Sequence, residues 1–97
     1  MVFADSYNFD ILTNEAEKIV ITELGRQLES GTGICRCNEC VLDMAAMALN
    51  AVKPLYRVSL LGTMYTAQAM NETAYAKTVR EEVAKAIEKV RKNPSHD

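Results

Sequence analysis

Apolar residues recur at helical spacing in three stretches of the chain. Ala16, Ile19, Val20, Leu24 and Leu28 share one face and predict a helix over about 14–29. Thr13 or Asn14 can cap its first turn, and Glu17 follows Asn14 by three residues, a variant of the capping box. Ser30-Gly31-Thr32-Gly33 closes it, because Gly tolerates the left-handed backbone that ends helices. A second stripe, Val41, Met44, Ala45, Ala48, Leu49 and Val52, predicts a helix over about 39–52. Leu42, Ala46 and Met47 widen this stripe around most of the circumference. A helix that is apolar nearly all round is a buried one. Only Asp43 and Asn50 interrupt it within 41–52, and their spacing of seven puts them on one face. Pro54 stops this helix. Tyr56 to Leu61 fits a short strand or an extended connector, Gly62 a turn, and 64–70 a short helical turn. The third stripe, Tyr75, Val79, Val83, Ala86, Ile87 and Val90, predicts a long helix over about 72–92, with Asn71 as its cap and Pro94 beyond its end. Glu81–Lys85 and Glu88–Lys92 are i, i+4 pairs on its wet side.

Residues 1–12 have mixed polarity and no caps, and read as an arm or short helix. The expected organisation is an N-terminal arm (1–12), one domain (13–93) and a tail (94–97). The fold class is mainly α, with three to four helices. At 97 residues the core is thin, since such a chain buries only about 65% of its unfolded surface. A metal or a partner subunit often supplies the missing stability. The second helix is too apolar to be covered by two other short helices. A symmetric homodimer through that helix or the last one is therefore expected.

A hydrophobic share of 48% with 25% charged residues excludes disorder over most of the chain. No run approaches the roughly 20 apolar residues of a membrane span, and no basic segment precedes an apolar one at the N-terminus. A soluble, cytoplasmic protein is the expectation. The net charge of −2 hides an asymmetry. Residues 1–50 hold three basic side chains against eight acidic ones, and residues 51–97 hold eight basic against five acidic. That split favours self-association or a small anionic ligand, and is too weak for general nucleic-acid binding. The chain contains no Walker loop, nucleophile elbow, H-E-x-x-H or Rossmann glycine pattern, so no enzyme is expected.

Cys35, Cys37 and Cys40 fall within six residues as C-x-C-x2-C. Their odd number argues against a disulfide framework. Thiolates gathered this closely suit a soft tetrahedral ion such as Zn²⁺, whose binding also stabilises the folded chain. The fourth ligand is open: a water, Asp43, His96 or a group from another chain. A redox-active or structural thiol cluster is the rival reading. A catalytic thiol would need a nearby base, and His96, the one His, lies in the tail.

Cys35-Arg-Cys-Asn-Glu-Cys40, then Val-Leu-Asp43-Met-Ala-Ala-Met-Ala-Leu-Asn50, then Lys53-Pro-Leu-Tyr56 resembles the signature of the late-competence ComFB family. Tyr56-Arg-Val-Ser, Gly62 and Tyr65 are similar to the segment that follows it in that family. The resemblance covers about residues 14–90. It implies a small, all-helical, dimeric, non-enzymatic bacterial protein linked to competence and to type IV pilus or motility control. Some members bind zinc through the cysteines, and others are receptors for cyclic di-GMP.

Basic and aromatic residues interleave from Lys53 through Tyr56 and Arg57 to Tyr65. Arg offers a planar fork for phosphate and stacks on purines, and Tyr adds a stacking face and a hydroxyl. The plainer reading leaves Lys53 and Arg57 solvated and Tyr56 in the core. Arg36, inside the cysteine loop, can reach an anion or act on the neighbouring thiols. Asp43 and Asn50 suit structural hydrogen bonds, Asp43 to the cysteine loop and Asn50 to the turn after its helix, or recognition of a guanine edge. The basic residues of the last helix read as a solvated face, and Met44, Met47, Met64 and Met70 as packing.

Three functions follow: a homodimeric cyclic di-GMP receptor that signals to an unidentified downstream protein, a zinc-stabilised structural or adaptor protein, or a thiol redox module. The expected nucleotide-binding set is Lys53, Tyr56, Arg57, Tyr65 and Arg36, and the expected metal set is Cys35, Cys37 and Cys40.

Overall fold

Among the described residues three helices carry the fold, and each buries all or part of the stripe that its spacing predicts. The computed structural model describes residues 2–58 and 73–94. The turn expected over 64–70, Gly62, Tyr65, the cap Asn71 and His96 lie outside the described residues. The arm forms two short 3-10 turns, Phe3–Ser6 and Phe9–Ile11. There follow β1 (Thr13–Asn14), α1 (Ala16–Ser30), α2 (Asn38–Ala51), β2 (Tyr56–Arg57) and α3 (Thr73–Lys92). The domain is mainly α.

The first helix starts two residues later than expected because Thr13 and Asn14 are in a strand. β1 pairs antiparallel with β2, Thr13 opposite Arg57 and Asn14 opposite Tyr56. The two residues are thus part of a short ribbon that ties the start of α1 to the chain leaving α2. Asn14 still acts as a cap, since its Oδ1 accepts from the Ala16 N–H at 3.1 Å. Glu17 is exposed and lies away from this arrangement. At the far end of α1, Gly31 is extended, and Gly33 takes the left-handed conformation at φ 69° that turns the chain toward the cysteines.

Val20, Cys40, Met44, Val79, Val83 and Val90 form the fully buried centre, where α2 meets α1 and α3. The expectation that α2 is buried all round does not hold within one chain. Its buried residues are Cys40, Met44 and Ala48, a single i, i+4 row. Leu42, Ala46 and Asn50 are exposed. Among the described residues, α1 and α3 cover one side of α2.

On α3 the ion pairs differ in part from the expected ones. Lys85 meets Glu82 at 3.0 Å rather than Glu81, which lies 4.0 Å from Lys77. Glu88 meets Lys92 at 3.8 Å, as the spacing predicts, and also Arg91. All of these are surface pairs, which contribute little to stability.

Candidate functional site

Two candidate sites lie one at each end of α2. At its N-terminus the three cysteines converge. Cys37 caps α2, its Sγ accepting from the Cys40 N–H at 3.4 Å. That bond satisfies one of the N–H groups that a first helical turn leaves without an intrahelical partner. Cys40 is buried one turn in, while Cys35 and Cys37 are partly exposed. The three Sγ atoms lie within 4.8 Å of one another. Tetrahedral zinc with Zn–S bonds of about 2.3 Å spaces its sulfurs by about 3.8 Å. The donor set therefore fits the ion with a small closure. Cys35, Cys37 and Cys40 would hold it, and its chemistry there would be structural, joining the α1–α2 loop to α2.

Arg36 sits in this loop, but its guanidinium is engaged. It donates to the carbonyls of Leu28 and Gly31, the latter at 3.1 Å. These belong to the C-terminal end of α1, where helical carbonyls lack intrahelical partners. The side chain thus closes a helix that has no basic residue in its own last turn.

At the other end of α2 lies the segment from Lys53 to Arg57, held from three directions. The Tyr75 hydroxyl of α3 donates to the Lys53 carbonyl at 2.9 Å. Partial burial pushes the Tyr75 phenol up from its ordinary pKa. Asn14 Oδ1 accepts from the Leu55 N–H at 2.7 Å, and the Glu15 N–H donates to the Leu55 carbonyl at 2.8 Å. Arg57 donates from Nε to the carboxylate of Glu15, which is only 8% exposed. Lys18 lies 3.5 Å from the same carboxylate.

That hydrogen bond from Arg57 holds the Glu15 carboxyl below the usual carboxylate range; burial opposes it, and the charges of Arg57 and Lys18 support it. A depressed folded pKa gives stability that is present above the unfolded value of 4.5 and is lost as pH falls through the folded value. Glu15→Gln should therefore be less stable than the parent at pH 7 and approach it in acid. Urea midpoints from pH 7 to pH 3 measure this, and a gap that stays constant across the range would disprove it.

Lys53, Tyr56 and Arg57 share the short segment after α2, and the length of α2, about 20 Å, separates Arg36 from them. Tyr65 lies outside the described residues. Tyr56 is 63% exposed, so its reading as a core residue is corrected. Arg57 is partly buried and Lys53 exposed. Successive strand residues face opposite sides, so Tyr56 and Arg57 flank the ribbon instead of sharing a face. The tie from the end of α2 to the next segment is made by Tyr75 and Asn14, while Asn50 is exposed. Asp43 is partly buried, beside Met47 and Lys89.

Glu15, Asn14 and Tyr75 were not singled out by sequence reasoning for this site. Asn14 and Glu15, a polar pair placed just before an apolar stripe, were the available signal. Among the described residues, no helix is long and apolar enough to cross a membrane.

The family model described as late competence development protein ComFB matches residues 13–94. Among solved structures, the late competence protein ComFB from Bacillus subtilis is similar at 25% identity, with a TM-score of 0.71, over 87% of this chain and 94% of that one. No curated protein matches the chain.

Proposed function

The chain belongs to the late competence development protein ComFB family, and from that premise we propose that it is a non-enzymatic cytoplasmic regulator. It binds cyclic di-GMP as a homodimer and passes the ligand state to a protein of the competence, type IV pilus or motility machinery. The observation that carries this reading is the segment from Lys53 to Arg57. Its backbone is held by Asn14, Glu15 and Tyr75, while Lys53 and the ring of Tyr56 face solvent. A preorganised segment loses little conformational entropy when a ligand binds. It offers a cation for phosphate, a ring for a guanine face, and Arg57 at its edge. Tyr65 completes the proposed set. Arg36 leaves it, because its guanidinium serves the end of α1.

A two-fold dimer also matches a two-fold ligand, each half-site meeting one guanylate. Calorimetry of the purified protein with cyclic di-GMP is the test. Arg57→Ala should cost about 1.5–3 kcal/mol, the range for hydrogen bonds to charged groups, or roughly ten- to hundredfold in affinity. Glu15→Gln keeps the guanidinium and should bind more tightly than Arg57→Ala. Linear pGpG should bind more weakly than the cyclic form. No heat at high micromolar cyclic di-GMP removes this function and leaves the second reading, a zinc-stabilised adaptor without a nucleotide. The convergence of three Sγ atoms within 4.8 Å favours that second reading.

A further inference from the structure

The loop from Gly31 to Cys37 joins α1 to α2, and Arg36 is the residue between its two cysteines. Its side chain reaches back to the end of α1. There Nη2 donates to the carbonyls of both Leu28 and Gly31. A charged donor makes a stronger hydrogen bond than a neutral one. The last turn of α1 has no basic residue of its own to serve these acceptors.

Ile34 makes a second tie at the same place. A Cβ added at Gly31 would meet Ile34 Cδ1 at 2.5 Å, so the Ile34 side chain lies directly over the Gly31 backbone. Ile34 also packs against the hydrophobic core. The turn between these two residues is made at Gly33, with φ 69°. The loop is thus folded back onto the end of α1 and held there by a side chain on each side of Cys35. Cys37 is fixed from the other direction as the N-cap of α2, and Cys40 is 0% exposed within the core. The Sγ atoms of the three cysteines converge within 4.8 Å because α1 holds the loop and α2 holds Cys40.

We propose that Arg36 is the positioning residue of a metal site formed by Cys35, Cys37 and Cys40. It does not touch the ion. It acts through the two cysteines that flank it, by clamping their loop to the carbonyls of α1. Ordering a loop costs conformational entropy, and an ion that meets donors already gathered avoids that cost. The inference deepens the zinc reading of the cluster and rests on it.

Zinc affinity of the full chain, measured by competition with a chromophoric chelator, tests the clamp. Arg36→Ala should bind zinc roughly ten- to hundredfold more weakly than the parent, the usual loss when a group that orients metal ligands is removed. The weaker binding should be matched by faster release of zinc into excess chelator. Ser30→Ala is the control. It removes the bond from Ser30 Oγ to the Gln27 carbonyl, 3.2 Å, at the same helix end without touching the loop. Its zinc affinity should equal that of the parent. A residue that only closes α1 would lower the stability of the metal-free and loaded protein alike and leave zinc affinity unmoved. Arg36→Ala with parental affinity, or Ser30→Ala with the same loss as Arg36→Ala, therefore overturns the proposal while the zinc site stands. Should Arg36→Ala fail to fold without metal, Arg36→Lys carries the same test, since it keeps the charge and loses the guanidinium. Its affinity should fall below that of the parent, and parental affinity overturns the clamp. A parent that binds no zinc overturns the zinc reading and this inference together.

Discussion

Replacing any two of Cys35, Cys37 and Cys40 with Ser should lower the stability of the zinc-loaded protein by about 4 kcal/mol. That is the stabilisation from a ligand at about 1,000 times its dissociation constant. In a domain of this size it corresponds to a fall in Tm of roughly 15–30 °C. The loss is large because the cluster acts at a weak point of a thin core. The α1–α2 loop is short and turns on Gly33, and otherwise Arg36 and the cap at Cys37 hold it. A zinc ion bonded to Cys35 and Cys37 in the loop and to buried Cys40 inside α2 would fix the start of that helix against the rest. A chelator separates metal from packing. It should reproduce the loss in the parent and do nothing to the double Ser variant. Elemental analysis should find zinc in the parent alone. A metal-free, reduced parent that melts at the temperature of the loaded protein would defeat the metal reading.

The helices were legible because their apolar spacing is long and regular, and burial follows that spacing on α1 and α3. The site was less legible, for local reasons. Tyr56 and Arg57 are adjacent in sequence, which suggested one cluster, yet a strand sends them to opposite faces. Arg36 sits among cysteines in the sequence, but its partners are carbonyls at the end of the preceding helix. Glu15 meets Arg57 across 42 positions, and no local pattern announces such a pair. The cysteine cluster was legible because its spacing alone brings the thiols together. What spacing could not rank was the circumference of α2, where nearly every side chain is apolar.

That ranking yields the second large effect. Met44 is fully buried at the centre of the core, one turn after Cys40 and one turn before Ala48. Leu42, two positions earlier on the same helix, is 59% exposed. Met44→Ala should therefore cost about 2–5 kcal/mol, from lost transfer energy and from the cavity left behind. A domain of this length has about 5–15 kcal/mol in all, so this one change can remove a third or more of the total. Leu42→Ala should stay within about 0.5 kcal/mol for the isolated chain, as exposed substitutions do. Urea unfolding at matched zinc measures both. For Met44→Ala the midpoint should fall while the m-value holds, the mark of changed stability without a changed unfolded state. If Leu42→Ala instead costs as much as Met44→Ala, and the cost grows with protein concentration, then the exposed face of α2 is buried in the dimer. If Met44→Ala costs under about 1 kcal/mol, α1 and α3 close over the vacated space, and the core is more plastic than its single buried row implies.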